Sequence, residues 1–206
     1  MNKPIAVMFA AALASAPFAA HAQNSKPHEA YYITKEEVDT VNKTPGIDRT
    51  IRVMDIGNEH FSVGVIHRGP NTAAAPTAPA TDTPACGTPE ADPPKDLTAG
   101  LTHDKQTEGY YVISGEGVLV TGGHIVNGHM DPADSDVATI LNGPTCRGVI
   151  GGADMVKRFV KTGDIVIVPP GVPHGWADVK DHVDYLSFRP SGDALPAGYV
   201  NPAIKK

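Results

Sequence analysis

The stretch Gly163–Asp178, GDIVIVPPGVPHGWAD, decides how the rest of the sequence is interpreted. It opens with a Gly-Asp turn and continues with four β-branched residues, Ile165–Val168, which predict a short strand buried on both faces. Three prolines and a glycine then stiffen a turn that ends at His174. A histidine on a rigid turn loses little conformational entropy on binding, so the pattern favours a metal ligand or a catalytic base. The alternative is a rigid turn with an incidental histidine.

The spacing of this stretch resembles the second motif of the cupin family, G-x5-P-x-G-x2-H-x3-N. Its defined positions are occupied by Gly163, Pro169, Gly171 and His174, and Asp178 stands in place of the asparagine. The resemblance identifies His174 as the histidine that this family uses to bind metal.

An upstream stretch, residues 101–117, resembles the first cupin motif, H-x-H-x4-E-x6-G. His103 matches the second histidine, Glu108 the glutamate and Gly115 the glycine, whereas Leu101 stands where the first histidine would be. Each motif occurs once, which implies one barrel. The resemblance implies an all-β, antiparallel jelly-roll barrel, and the 21 glycines and 19 prolines agree with many short strands and turns.

One short helix is predicted near the N-terminus. Thr34 and Glu37 have the spacing of a capping box, and the helix is expected to run from there to Val41.

Two imidazoles and one carboxylate, those of His103, His174 and Glu108, form the predicted metal site. These ligand types suit one divalent ion (Zn, Cu, Fe, Mn or Ni) and leave coordination positions open. A buried carboxylate beside two histidines also needs a compensating cation, which a metal would supply. A proton on either imidazole could serve instead, so a barrel that holds no metal is the alternative.

A further histidine could replace the missing ligand. In the strand predicted over residues 60–68, Phe61, Val63, Val65 and His67 share one face. That face is expected to point into the barrel, which would place His67 in the interior as a ligand or as a hydrogen-bond donor to a carbonyl.

Two aromatic residues are predicted to line a substrate cavity. Strand alternation places Tyr110 on the same side as Glu108, and Trp176 follows His174 closely. The alternatives are core packing for Tyr110 and a packed rim position for Trp176.

Residues 1–22 have the features of a secretory signal peptide. Lys3 precedes an alanine-rich apolar run, and Ala20-His21-Ala22 forms a cleavage site before Gln23. A short N-terminal membrane anchor is the alternative. Cleavage would leave residues 23–206 as a single domain in the periplasm or outside the cell. Its acidic balance, more negative than the −6 of the whole sequence, argues against nucleic acid or an anionic membrane as partner.

Residues 69–100 are rich in proline, alanine and threonine and predict an extended insertion without a core of its own. The insertion contains Cys86, and the second of the two cysteines is Cys146. In an oxidising compartment they are predicted to pair, although two free thiols are the alternative.

Two functions are compatible with these residues. The first is a metal-dependent cupin enzyme acting on a small organic molecule. Dioxygenase or other oxidoreductase chemistry on a phenol or oxo-acid is one form of it, and decarboxylation, isomerisation or elimination are others. The second is a non-catalytic periplasmic barrel that binds a small ligand. The family resemblance also implies a homodimer.

Overall fold

The computed structural model of the protein describes residues 29–71, 83–93, 97–192 and 194–204. The predicted signal peptide and parts of the predicted insertion lie outside these ranges. No helix within them is long and apolar enough to cross a membrane. The regular elements are α1 (Lys35–Asn42), β1 (Asp48–Asp55), β2 (His60–Arg68), β3 (Ala85–Cys86), β4 (Thr98–His103), β5 (Glu108–Thr121), β6 (His124–Met130), β7 (Thr145–Gly151), β8 (Val156–Lys161), β9 (Ile165–Val168), β10 (His174–Asp178) and β11 (Val183–Pro190), with a π-helical turn at Val137–Leu141.

The predicted helix is confirmed, together with its cap. The Thr34 hydroxyl accepts from the Glu37 N–H (3.2 Å), and the Glu37 carboxylate accepts from the Thr34 N–H (3.0 Å). The helix buries Val41 completely against β1 and β2.

Two antiparallel sheets share the long strand β5. The strand order is β1-β2-β11-β5-β10-β4-β7-β6-β3, and β8 and β9 both pair with β5. The first half of β5 pairs with β11 and β9, and its second half pairs with β10 and β8. The predicted all-β, antiparallel jelly roll with one short helix is therefore confirmed.

The first-motif glycine sits where a side chain cannot fit. Gly115 has φ of +73°, and a Cβ there would lie 2.0 Å from the carbonyl oxygen of His182. Only glycine adopts this conformation without strain, so the positive φ within β5 accounts for the glycine of the motif.

The main apolar core lies between the two sheets and includes Tyr110, Trp176 and Tyr185. A second core lies outside the barrel, where α1 packs on β1 and β2.

The predicted orientation of β2 is wrong. Phe61, Val63 and Val65 pack in the outer core against α1, whereas Ile66 on the opposite face packs in the barrel core. Because the helix covers the outer face, both faces of β2 are largely buried, although the inner face carries the less apolar set His60, Ser62, Gly64 and Ile66. Alternation alone could not identify the inner one.

The prediction that Ile165–Val168 is buried on both faces is also wrong. Ile165 and Ile167 are 70% and 63% exposed, while Val168 is buried in the barrel core. Strand β9 pairs only with β5, and no described element covers its outer face.

The predicted disulfide is confirmed. Cys86 on β3 is bonded to Cys146 on β7, and the bond closes a separation of 60 residues. It ties the middle of the predicted insertion to the second sheet.

Candidate metal centre

The three predicted ligands come from three strand ends that meet inside the barrel. His103 ends β4, Glu108 begins β5 and His174 begins β10. One ligand atom from each lies within 4.8 Å of the others, and all three residues are buried. The sequence motifs therefore placed these residues in one cluster.

The proline-rich turn before His174 is anchored to the strand that carries His103. Gly171, which has φ of +76°, donates its N–H to the carbonyl oxygen of His103 (2.9 Å). In the ladder between β4 and β10, His174 lies opposite Leu101. The turn thus fixes the two imidazoles relative to each other.

The hydrogen bonds at the Nδ1 atoms determine which ring nitrogens are free. His174 Nδ1 lies 3.0 Å from the Val172 carbonyl oxygen, which can only accept, so Nδ1 carries the proton. His103 Nδ1 lies 2.9 Å from Thr145 Oγ1. The Thr145 hydroxyl donates its own proton to the Gly143 carbonyl (2.9 Å), so it accepts from His103. When neutral, each imidazole therefore presents an Nε2 lone pair to the cluster.

Those two lone pairs face a carboxylate oxygen. Glu108 Oε2 lies 3.2 Å from His174 Nε2 and 3.8 Å from His103 Nε2. His103 Nε2 is buried and has no hydrogen-bond partner among the described residues. Lone pairs directed at a carboxylate repel it unless a cation or a proton lies between them. The residues present thus fit a divalent metal ion, held by two imidazoles and one carboxylate oxygen.

The protonation states favour the same donor set. Burial lowers the pKa of His103 to about 3, so this ring is neutral at physiological pH. Burial alone would raise the pKa of Glu108, but the charge of the Arg189 guanidinium holds it well below its usual range. The cluster therefore combines a neutral imidazole at His103 with an ionised carboxylate.

Arg189 is the functional residue that the sequence analysis missed. It is fully buried and donates from Nε to Glu108 Oε1 (2.6 Å). Its Nη2 bonds Asp48 Oδ2 (2.6 Å), and its Nη1 donates to the Leu141 carbonyl (3.1 Å). The compensating cation that Glu108 needs is thus already supplied by the protein. A possible signal was the Ser-x-Arg pattern on one face of β11, which also places Ser187 Oγ 3.3 Å from Glu108 Oε1.

The predicted cavity aromatics lie in the core next to the cluster. The Tyr110 hydroxyl donates a hydrogen bond to Glu108 Oε2. The centroid of the Tyr110 ring is 6.4 Å from that of the His174 ring. Trp176 Nε1 donates to the Tyr185 hydroxyl (3.2 Å). The Tyr185 ring, which the sequence analysis did not single out, packs 4.5 Å from Tyr110. Substrate contact by Tyr110 and Trp176 stays a prediction.

The prediction that His67 faces the interior and could act as a ligand is wrong. Its side chain is about half exposed and lies 2.6 Å from Asp184 Oδ1 through Nδ1. It also stacks on His182, with centroids 6.3 Å apart. His67 shares the outer face of β2 with Val63 and Val65, which explains its position.

The fold and the cluster together define a jelly-roll protein with a candidate metal centre between its two sheets. No protein-family model matches the sequence, and no curated protein matches it. Similar solved structures include an uncharacterized conserved protein with a double-stranded β-helix domain from Klebsiella pneumoniae (TM-score 0.38, 19% identity, covering 81% of this chain and 94% of that one).

Two further similar structures are enzymes by their descriptions. One is the DMSP lyase DddQ from Ruegeria pomeroyi (TM-score 0.35, 13% identity, covering 78% of this chain and 54% of that one). The other is a recombinant oxalate oxidase in complex with glycolate (TM-score 0.32, 16% identity, covering 74% of this chain and 55% of that one). This chain spans about half the length of these two proteins.

Proposed function

We propose that this protein is an exported, metal-dependent enzyme of the cupin type that acts on a small organic molecule. The observation that carries the proposal is the convergence of two imidazole Nε2 lone pairs, from His103 and His174, on the ionised carboxylate of Glu108. Export is supported by the predicted leader and by the Cys86–Cys146 bond, since disulfides persist in oxidising compartments.

The surrounding residues hold the ligands in place. Thr145 and the Val172 carbonyl orient the two rings through Nδ1. Arg189 and Ser187 bind Glu108 Oε1, which leaves Oε2 as the oxygen directed at the histidines. Such outer contacts raise metal affinity by fixing ring orientation and tautomer.

A bound divalent ion would supply Lewis-acid or redox chemistry at this point. Two histidines and one carboxylate are the ligand types of non-haem Fe(II) oxygenases, which favours oxidation of a phenol or an oxo-acid. Tyr110 and Trp176 are proposed to lie along the substrate's path to the cluster, because both rings pack in the core next to it.

A second candidate function is a non-catalytic barrel that binds a small ligand. The observation in its favour is that Arg189 already neutralises Glu108, so the buried carboxylate is compensated without a metal. Such a barrel would keep its fold with the cluster empty.

Metal content separates the two functions. The wild-type protein should contain about one divalent ion per chain after purification without added metal, measured by elemental analysis. His103→Ala and His174→Ala should each lose it while the circular dichroism spectrum is retained. His124→Ala is the matched control, because this partly exposed histidine pairs with Glu90 outside the cluster. It should keep the metal.

Oxygen uptake and product formation on phenols and oxo-acids would then test the reaction. Absence of metal in the wild-type protein, with no rise in melting temperature on adding Zn, Cu, Fe, Mn or Ni, would favour the binding barrel.

A further inference from the structure

The ionised groups around the cluster cancel one another. Glu108 and Asp48 carry negative charges, and Arg189 bridges them with 2.6 Å contacts to both. Arg68 adds a second positive charge, since its Nε donates to the Tyr185 hydroxyl (3.2 Å) next to Tyr110. These four charges sum to zero.

A further charged group on the strands around the cluster is also paired. Arg147 lies opposite Leu101 in the ladder between β4 and β7, and its guanidinium contacts Asp131 at 2.6 Å. Because these protein charges leave no net negative charge beside the cluster, the whole charge of an added divalent ion would remain uncompensated inside the barrel. A buried charge of that size requires a counter-ion.

We propose that the metal-loaded centre selects a small anion, such as a carboxylate, over a neutral molecule of the same shape, and that Arg189 and Asp48 set this preference. The inference rests on the proposed metal function. Arg189 is the residue responsible, because without it Glu108 would neutralise half of the ion's charge. Asp48 acts in the opposite direction by partly offsetting Arg189.

The burial of the cluster limits the size of the anion. The side chains of His103, Glu108 and His174 are 2%, 3% and 7% exposed. Aromatic rings occupy the adjacent interior, with Trp176 and Tyr185 centroids 5.6 Å apart. This packing favours a small anion over a large one.

The test begins with Zn²⁺ titrated into the metal-free wild-type protein and His174→Ala. If Zn²⁺ binds no better to the wild-type protein, both the metal function and this inference fail. If it binds, acetate and the neutral isostere acetamide are titrated into the Zn-loaded and Zn-free forms. The fluorescence of Trp176, the only tryptophan in the chain, reports binding.

The Zn-loaded protein should bind acetate at least about ten-fold more tightly than acetamide, and the Zn-free protein should show no such preference. Equal binding of acetate and acetamide to the Zn-loaded form would overturn the inference and leave the metal function intact.

Two variants test the role of the charges. Arg189→Gln should weaken acetate binding about ten-fold, and Asp48→Asn should tighten it several-fold, with acetamide unaffected in both. Asp39→Asn, which removes an exposed carboxylate paired with Lys35 on α1, is the control and should change neither. A change of acetate affinity in the same direction in Arg189→Gln and Asp48→Asn would contradict the opposing roles assigned to these two residues. Asp48 is partly exposed, so Asp48→Asn keeps the test decisive if Arg189→Gln fails to fold.

Discussion

Arg189 Nε lies 2.6 Å from Glu108 Oε1, and the two side chains are 0% and 3% exposed. The residues are 81 positions apart in sequence and join β11 to the start of β5. The contact therefore links β11 to β5 and orients a predicted metal ligand.

Arg189→Met should lower the free energy of unfolding by about 3–5 kcal/mol, because it leaves Glu108 and Asp48 without their shared cation. Urea denaturation of the metal-free protein measures the change. Arg52→Met is the matched control. It removes a partly exposed pair with Glu37 and should cost about 1 kcal/mol or less. A similar loss of unfolding free energy in both variants would show that the buried Arg189 contacts contribute no more than the partly exposed Arg52 pair.

Leu101→His should tighten metal binding by about ten-fold. Leu101 lies opposite His174 across the ladder and two residues before His103, so it shares the inner face of β4. An imidazole there would add the fourth ligand that the family motif contains. Isothermal titration with Zn²⁺ measures the affinity.

Ala99→His is the control for that substitution. It places a histidine on the same face of β4 but two residues farther from His103, and it should not tighten binding. Equal effects at the two positions would mean that any added histidine attracts the metal.

The two motifs predicted the cluster because their resemblance to one family's motifs assigned all three ligands to one site, although His174 reaches the other two only through the pairing of β10 with β4 and β5. His103 and Glu108 are five residues apart, and the turn that delivers His174 is built from local proline and glycine preferences. The disulfide was predictable because the chain has only two cysteines.

Arg189 could not be predicted in the same way, since it lies in neither motif and only the pairing of β11 with β5 brings it to Glu108. The faces of β2 and β9 were misassigned for a related reason. Apolar residues on a strand show that a face is suited to burial, but the covering element decides whether it is buried. Helix α1 covers the outer face of β2, and no described element covers that of β9.

Thr145→Val should lower metal affinity by about 10–100-fold, because it removes the hydroxyl that accepts from His103 Nδ1. Without that hydrogen bond, the tautomer and the orientation of the ring are no longer fixed. Thr145→Ser keeps the hydroxyl and should retain most of the affinity. Metal titration of both variants separates loss of the hydrogen bond from a packing effect. The serine variant lacks the methyl group of Thr145, so a packing effect would lower its metal affinity as well.

Removing the disulfide should destabilise the protein by about 4 kcal/mol in the chain-entropy model, since the bond closes a 60-residue separation. Cys86→Ser with Cys146→Ser should lower the urea midpoint. Adding a reductant should lower the midpoint of the wild-type protein but not that of the double variant. Two freely alkylatable thiols in the native exported protein would contradict the bond.

Acidification should destabilise the metal-free protein, and His103 should account for part of the loss. Burial lowers the pKa of this histidine from its ordinary value of 6.5 to about 3. Between these values the unfolded chain binds a proton that the folded protein excludes. The contribution of His103 to the free energy of unfolding is therefore fully present above about pH 6.5. It is lost as the pH decreases toward 3, with a slope of up to about 1.4 kcal/mol per pH unit.

The window between pH 7 and pH 4.5 separates this effect from that of Glu108, whose lowered pKa acts at lower pH. The contribution of Glu108 to the free energy of unfolding is lost only below its unfolded-state pKa of about 4.5, as the pH falls toward the lower folded-state pKa. Over that window His103 should contribute a loss of about 2–3 kcal/mol. Glutamine cannot take up the proton. Between pH 7 and pH 4.5 the His103→Gln variant should therefore lose about 2–3 kcal/mol less of its free energy of unfolding than the wild-type protein. Urea titrations of both proteins at pH 7, 6, 5 and 4.5 give the difference directly. Parallel pH profiles would show that His103 is protonated as readily in the folded barrel as in the unfolded chain.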